Sequence, residues 1–137
     1  MPINLTLEGW AHYAMALTVW REAGNQGYLA QAGVAHSILN RERAQSWYGR
    51  TVPDIIGWPQ QYSSMTDAGD PNLIRWPRSS DPSWLLTLQV VSDVLSGLED
   101  PTFGATHFYS DNIPPPSWTR KGTFKVQHDN MVFYWAA

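Results

Sequence analysis

Apolar residues recur at helical intervals along the first part of the chain. Trp10, Tyr13, Ala14, Leu17 and Trp20 form one line and Ala11, Met15, Thr18 and Glu22 a second, which predicts a mostly apolar helix from about Leu7 to Ala23. A second helix is predicted from about Tyr28 to Ala44, with Tyr28, Ala32, Ala35 and Leu39 in line and Val34 and Ile38 beside them. Its small residues Ala30, Ala32, Gly33 and Ala35 would let another helix, most naturally the first, pack closely. A short helix starts at Thr51 with Pro53 in its first turn. A longer one starts at Asp81 as N-cap with Pro82 at the first helical position, and runs through Leu85, Leu88, Val91 and Leu95 to Gly97. The intervening Gly57 to Ser80, rich in Pro, Gly, Asp and Ser, predicts a long ordered loop of the kind that is often functional.

Beyond Gly97 the pattern changes. Ala105 to Tyr109, Thr123 to Val126 and the aromatic run Met131 to Trp135 have β-type composition, and the first two are separated by a turn-rich stretch with three consecutive prolines. The whole chain, residues 1–137, therefore reads as a single domain of α+β class, mainly α, with a small β element.

Glu22 stands out because it continues an apolar stripe and closes its helix just before Gly24. Burial in an apolar cleft and the negative end of the helix dipole both oppose its ionisation, and Gly24 or Asn25 would supply a left-handed C-terminal cap. A carboxylic acid that stays protonated near neutral pH is able to donate a proton to a leaving group, as in glycoside-cleaving enzymes. The same position also fits an ordinary solvated residue in a last helical turn, with Arg21 as a nearby countercharge.

Composition narrows the partners. The net charge is -3 with Lys and Arg scattered, so the basic stripe that phosphate binding needs is absent and nucleic acid is excluded as a partner. There is no cysteine, which removes disulfides, thiolate catalysis and Cys-ligated zinc. Met1 to Trp20 lacks a positively charged start and is interrupted by Glu8, Gly9 and His12, so neither a signal peptide nor a membrane span is expected. Eight Trp, six Tyr and four Phe are the outlier, and several sit beside Pro, Gly or Ser, as in Gly57-Trp58-Pro59, Arg75-Trp76-Pro77 and Pro116-Ser117-Trp118. Such rings either line a sugar-binding cleft or cover a small core. Four histidines without a paired His-x-x-x-His spacing argue against zinc, and neither metal nor cofactor is expected. His36 reads as a packed or surface helix residue. His107 and Tyr109 share one face of a strand; with Gln61, Ser63 and His128 they would offer hydrogen bonds to a ligand, position Glu22, or form a structural network behind the site.

Several segments together resemble one family. Val19-Trp20-Arg21-Glu22-Ala23, Gly27-Tyr28 and Val34-Ala35-His36-Ser37-Ile38-Leu39-Asn40-Arg41 are similar to the opening of the SleB-type cell wall hydrolases, a spore cortex-lytic family with bacterial and phage relatives. Gln61-Tyr62-Ser63 resembles its Gln-Phe-Ser loop, Gly104 to Tyr109 its Gly-Ala-Thr-His-Phe-Tyr segment, and Pro116-Ser117-Trp118, His128 and Phe133-Tyr134 its tail. The resemblance spans about residues 16 to 134 in order. It implies a lysozyme-like, lytic-transglycosylase-related fold and cleavage of peptidoglycan between N-acetylmuramic acid and N-acetylglucosamine. Glu22 matches the catalytic acid, and Gln26, Gln61, Tyr62, Ser63, His107, Tyr109 and His128 are the expected substrate-binding residues. Where the family often reads Arg-Glu-Ala-Arg-Gly-Glu, this chain has Gly24-Asn25-Gln26 after Ala23, so Gln26 replaces a second acid.

Asp67 and Asp70, in the loop after Gln61-Tyr62-Ser63, are the candidates for a second catalytic carboxylate, although Asp in such loops is usually a turn residue. With Glu22 as the one acid, the expected reaction is that of a lytic transglycosylase forming 1,6-anhydromuramic ends. A hydrolytic muramidase is the alternative, and from other classes a non-catalytic peptidoglycan-binding module or a metallopeptidase. The expected setting is a phage endolysin-like monomer, acting on peptidoglycan glycan strands without nucleic acid or membrane as partner. It would be released from the host cytoplasm to the wall by a holin, or be carried in a phage particle.

Overall fold

The computed structural model describes residues 7–59 and 61–137; the first six residues of the predicted domain and Gln60 lie outside the described residues. Five α-helices precede a small sheet: α1 (Leu7–Ala23), α2 (Tyr28–Ala44), α3 (Val52–Gly57), α4 (Ser63–Thr66) and α5 (Pro82–Leu95), then β1 (His107–Ser110), β2 (Thr123–His128) and β3 (Met131–Trp135). Short 3-10 turns occupy Pro71–Ile74 and Ser117–Arg120. The strands are antiparallel in the order β1-β3-β2, with His107 opposite Tyr134 and Thr123 opposite Trp135 at the two edges of β3.

The two apolar lines read along α1 have a simple consequence. From Ala14 to Trp20 every residue is buried, so this helix is surrounded rather than amphipathic, with α2 and α5 packed on it and α3 and α4 closing further sides. Ala30 to Ile38 of α2 are likewise all buried. Gln31 is fully enclosed because both ends of its amide are paired: Oε1 accepts from Thr87 of α5 at 2.6 Å and Nε2 donates to Gln26 O at 3.0 Å.

Gly33 corrects one expectation. Its missing side chain makes room for the sheet, since a Cβ there would lie 2.5 Å from Phe133 Cζ and 2.8 Å from Thr102 Cγ2. Phe133, at the centre of β3, is fully buried against that gap. The sheet is tied to α2 a second time by Asp100, which accepts from Asn40 Nδ2, from Thr102 N and Oγ1, and from Gly104 N. Asn40 also donates to Ala105 O, so the chain entering β1 is fixed at the end of α2.

Local capping differs from the sequence reading in two places. Neither Gly24 nor Asn25 is left-handed; α1 is closed instead by a turn in which Gln26 N donates to Ala23 O at 2.9 Å. Thr51 caps α3 by accepting from Asp54 N, but the Asp81 carboxylate turns back to Arg78 N and leaves α5 without a side-chain cap. The predicted long loop between Gly57 and Ser80 contains α4 and a 3-10 turn. The latter is started by Asp70, which accepts from Asn72 N at 2.8 Å, with Pro71 in its first turn.

Candidate active site

Glu22 ends α1 at the point where two clefts meet. One, of about 430 Å³, is walled by Arg41, Trp47, Trp58, Pro59, Gln61, Ser63, His107, Phe108 and Trp118; the other, of about 520 Å³, by residues including Trp20, Arg21, Gln26, Asn72 and Arg75. Glu22 lines both. A strand lying through the two clefts would therefore cross its carboxyl group.

Five influences set the charge on that group. Burial is the largest and raises the pKa; the Ser64 hydroxyl, donating to Oε1 at 3.0 Å, lowers it; Asp70 raises it; the Ser64 backbone and Arg41 lower it. The result is a carboxyl pushed up to about 6. Arg21, the neighbour in sequence, takes no part in this balance. It points the other way, with Nε on Arg75 O, Nη1 on Ser64 O, and its guanidinium 4.7 Å from the Trp76 ring. Arg21 thus holds the Ser64 loop against α1, while the cation that acts on Glu22 comes from α2.

The predicted ligand-contacting residues separate into three groups. His107 and Ser63 line the first cleft beside Glu22. The His107 ring lies between Tyr48 and Trp118 with Nδ1 bonded to Thr106 Oγ1 at 2.9 Å, and burial followed by the Arg41 charge lowers its pKa to about 4. It is neutral at working pH. Tyr109 meets the Trp118 ring from the same face of β1, as the strand alternation requires, but does not line either cleft.

Gln61 and Gln26 form the second group, whose polar atoms are already engaged. Gln61 accepts from Arg41 Nη1 and donates to Tyr48 O and Ile55 O, so it positions Arg41 in the wall. Gln26 borders the second cleft, yet its Oε1 accepts from Asn130 N and anchors the β2–β3 turn.

Tyr62 and His128 are corrections. Tyr62 is fully buried beneath the cleft wall, packed on Phe108 with Arg41 over its ring, and is a core residue. His128 donates Nε2 to Pro101 O and packs on Phe133, away from both clefts. His36 is buried too, with Nε2 donating to Leu98 O.

Of the two loop acids, Asp67 is exposed and accepts from Gly69 N. Asp70 accepts from Ser63 Oγ at 2.7 Å with one oxygen and from Asn72 N with the other, and lines neither cleft. Among the described residues no three His, Cys, Asp or Glu side chains converge as metal ligands.

Sequence reasoning missed Arg41, Ser64, Trp47 and Phe108. Arg41 carried a usable signal, because it continues the Val34-Ile38 stripe of α2 as Glu22 continues that of α1. Its guanidinium is buried, with Nε on Thr106 O at 2.7 Å and the ring of Tyr48 4.8 Å away. Ser64 carried none, since its role depends on how α4 docks.

The fold is similar to that of two solved structures from Bacillus species. The catalytic domain of the germination-specific lytic transglycosylase SleB from Bacillus anthracis superposes with a TM-score of 0.71 at 22% identity, over 98% of this chain and 99% of that one. The catalytic domain of the Bacillus cereus SleB protein gives 0.70 at 22% identity, over 98% and 94%. No curated protein sequence gives a significant match. The sequence model described as Cell Wall Hydrolase matches residues 25–134, a span that starts three residues after Glu22 and takes in Arg41, Ser64, His107 and all of the sheet but Trp135. The chain belongs to the cell wall hydrolase family.

Proposed function

We propose that this protein cuts the glycan strands of peptidoglycan between N-acetylmuramic acid and N-acetylglucosamine as a lytic transglycosylase, with Glu22 as the acid and then the base. The observation that carries this reading is the position of Glu22 at the junction of two clefts with its carboxyl at about 6. A group that must first give and then take a proton works best when its pKa lies near the operating pH. Here burial and Asp70 favour the acid, while Ser64 and Arg41 favour the carboxylate, so neither form is strongly disfavoured.

In the first step the Glu22 proton passes to the glycosidic oxygen and the bond to the anomeric carbon of the muramoyl residue breaks. The Glu22 carboxylate then takes the proton from the C6 hydroxyl of the same sugar as that oxygen closes on the anomeric carbon. The products are a 1,6-anhydro end and a free hydroxyl, and no water is consumed. Asp70 lines neither cleft, which supports a single-acid mechanism, because a base that activates water needs an oxygen facing the bound strand.

Mass spectrometry of digested, purified peptidoglycan tests the reading. Anhydromuramic ends are expected; hydrated reducing ends alone would replace it with a hydrolytic muramidase, and intact strands would remove the enzymatic reading altogether.

A further inference from the structure

The cleft beside Glu22 does not stop at its wall. Trp47, Trp58 and Pro59 line it on one side and on the other line a further groove of about 640 Å³, completed by Ser46, Gly49, Arg50, Pro53, Asp54 and Gly57. Glu22 does not border this groove, which is built from the turn after α2 and from α3. Its two indoles are open to solvent, with Trp47 56% and Trp58 48% exposed. An isolated exposed tryptophan needs no explanation, but two at the shared edge of consecutive grooves form a continuous aromatic surface.

We infer that this groove is a distal subsite for the glycan strand, taking a sugar residue beyond those held next to Glu22. The inference rests on the glycan-cleaving reading given above. Indoles stack on the apolar faces of pyranose rings, and the Arg50 and Asp54 side chains at the rim offer a donor and an acceptor to hydroxyl and acetamido groups. One side of the platform is packed in place. The Trp47 ring lies 4.4 Å from that of Tyr48, which is buried and donates its hydroxyl to Ala136 O at 2.7 Å. Trp58 follows directly on the last residue of α3, which sets its backbone position at the edge of the groove. A packed ring loses little freedom when a ligand stacks on it, so the Trp47 face is organised before binding.

The consequence is a preference for long strands over short ones. It is tested with peptide-free strands of alternating N-acetylglucosamine and N-acetylmuramic acid, as tetra-, hexa- and octasaccharides, binding to the Glu22→Gln variant in calorimetry. The octasaccharide is expected to bind about tenfold more tightly than the tetrasaccharide. Gly57→Trp fills the groove from a position where a new Cβ meets nothing within 4 Å, and it is expected to bring that ratio close to one. Trp58→Ala, which removes a platform instead of blocking it, is expected to lower the ratio in the same direction. Unchanged melting temperatures certify that the variants are folded. Equal affinity for all lengths, or a ratio that neither variant alters, would overturn the distal subsite while leaving strand cleavage by the wild type intact. Failure of every strand to bind, with no cleavage by the wild type, would overturn both.

Discussion

Ser64 Oγ donates to Glu22 Oε1 at 3.0 Å, joining the first turn of α4 to the last turn of α1. The two residues are 42 positions apart, and what brings them together is Arg21, whose guanidinium holds Ser64 O and Arg75 O. Glu22 therefore depends on its sequence neighbour only indirectly. Arg21 positions the loop, and the loop supplies the hydrogen bond that keeps an otherwise buried carboxyl able to ionise.

Replacing Ser64 with Ala removes a contact that lowers the Glu22 pKa, so the acid becomes weaker. The alkaline limb of the pH–activity profile is expected to move to higher pH, measured by turbidity loss of purified cell walls across a pH series. A limb that stays fixed or moves down would show that Ser64 does not set this equilibrium.

Wild-type activity is expected to decline as pH rises through about 6, because the proton donor is lost. Glu22→Gln keeps the shape of the side chain but cannot donate, and should lower the rate at least about a hundredfold. Undiminished clearing by this variant would reassign the protein as a binding module or move the acid elsewhere.

The same raised pKa has a stability cost of opposite value to its chemical use. Glu22 holds its proton more tightly when folded, so it costs nothing below the unfolded value of 4.5 and destabilises the fold progressively as pH rises through about 6. A shift of this size corresponds to about 2 kcal/mol at pH 7 and above. Glu22→Gln is accordingly expected to be more stable than wild type at pH 7 and equal to it near pH 4, as read from urea midpoints at the two pH values.

Gly33→Val places carbon where Phe133 and Thr102 already sit, and should destabilise the protein by about 1–3 kcal/mol through overpacking. Thermal unfolding measures it. A variant with Phe133 reduced to Leu alongside Gly33→Val should recover part of the loss, because the two positions share one volume.

Much of this architecture is legible in the chain, because helical periodicity and proline position are local. The limits of α1 and α2, Pro82 at the head of α5 and the three strand regions follow from residue spacing alone. Legibility declines where side chains have competing local partners. Asp81 prefers Arg78 N to the open end of α5, and α1 needs no left-handed residue because a hydrogen-bonded turn already closes it. Candidate ligand residues were the hardest to read. Gln61, Tyr62 and Ser63 are adjacent in sequence, yet one braces Arg41, one is buried in the core and one faces the cleft.

The sequence by itself determined that a carboxyl continues an apolar stripe to the end of the first helix, and with it the direction of the pKa shift, since burial is written into the spacing. Only the tertiary structure decided how far that shift goes. Ser64, Asp70 and Arg41 reach Glu22 from three other elements, and electrostatic balance depends on distances that no local pattern encodes.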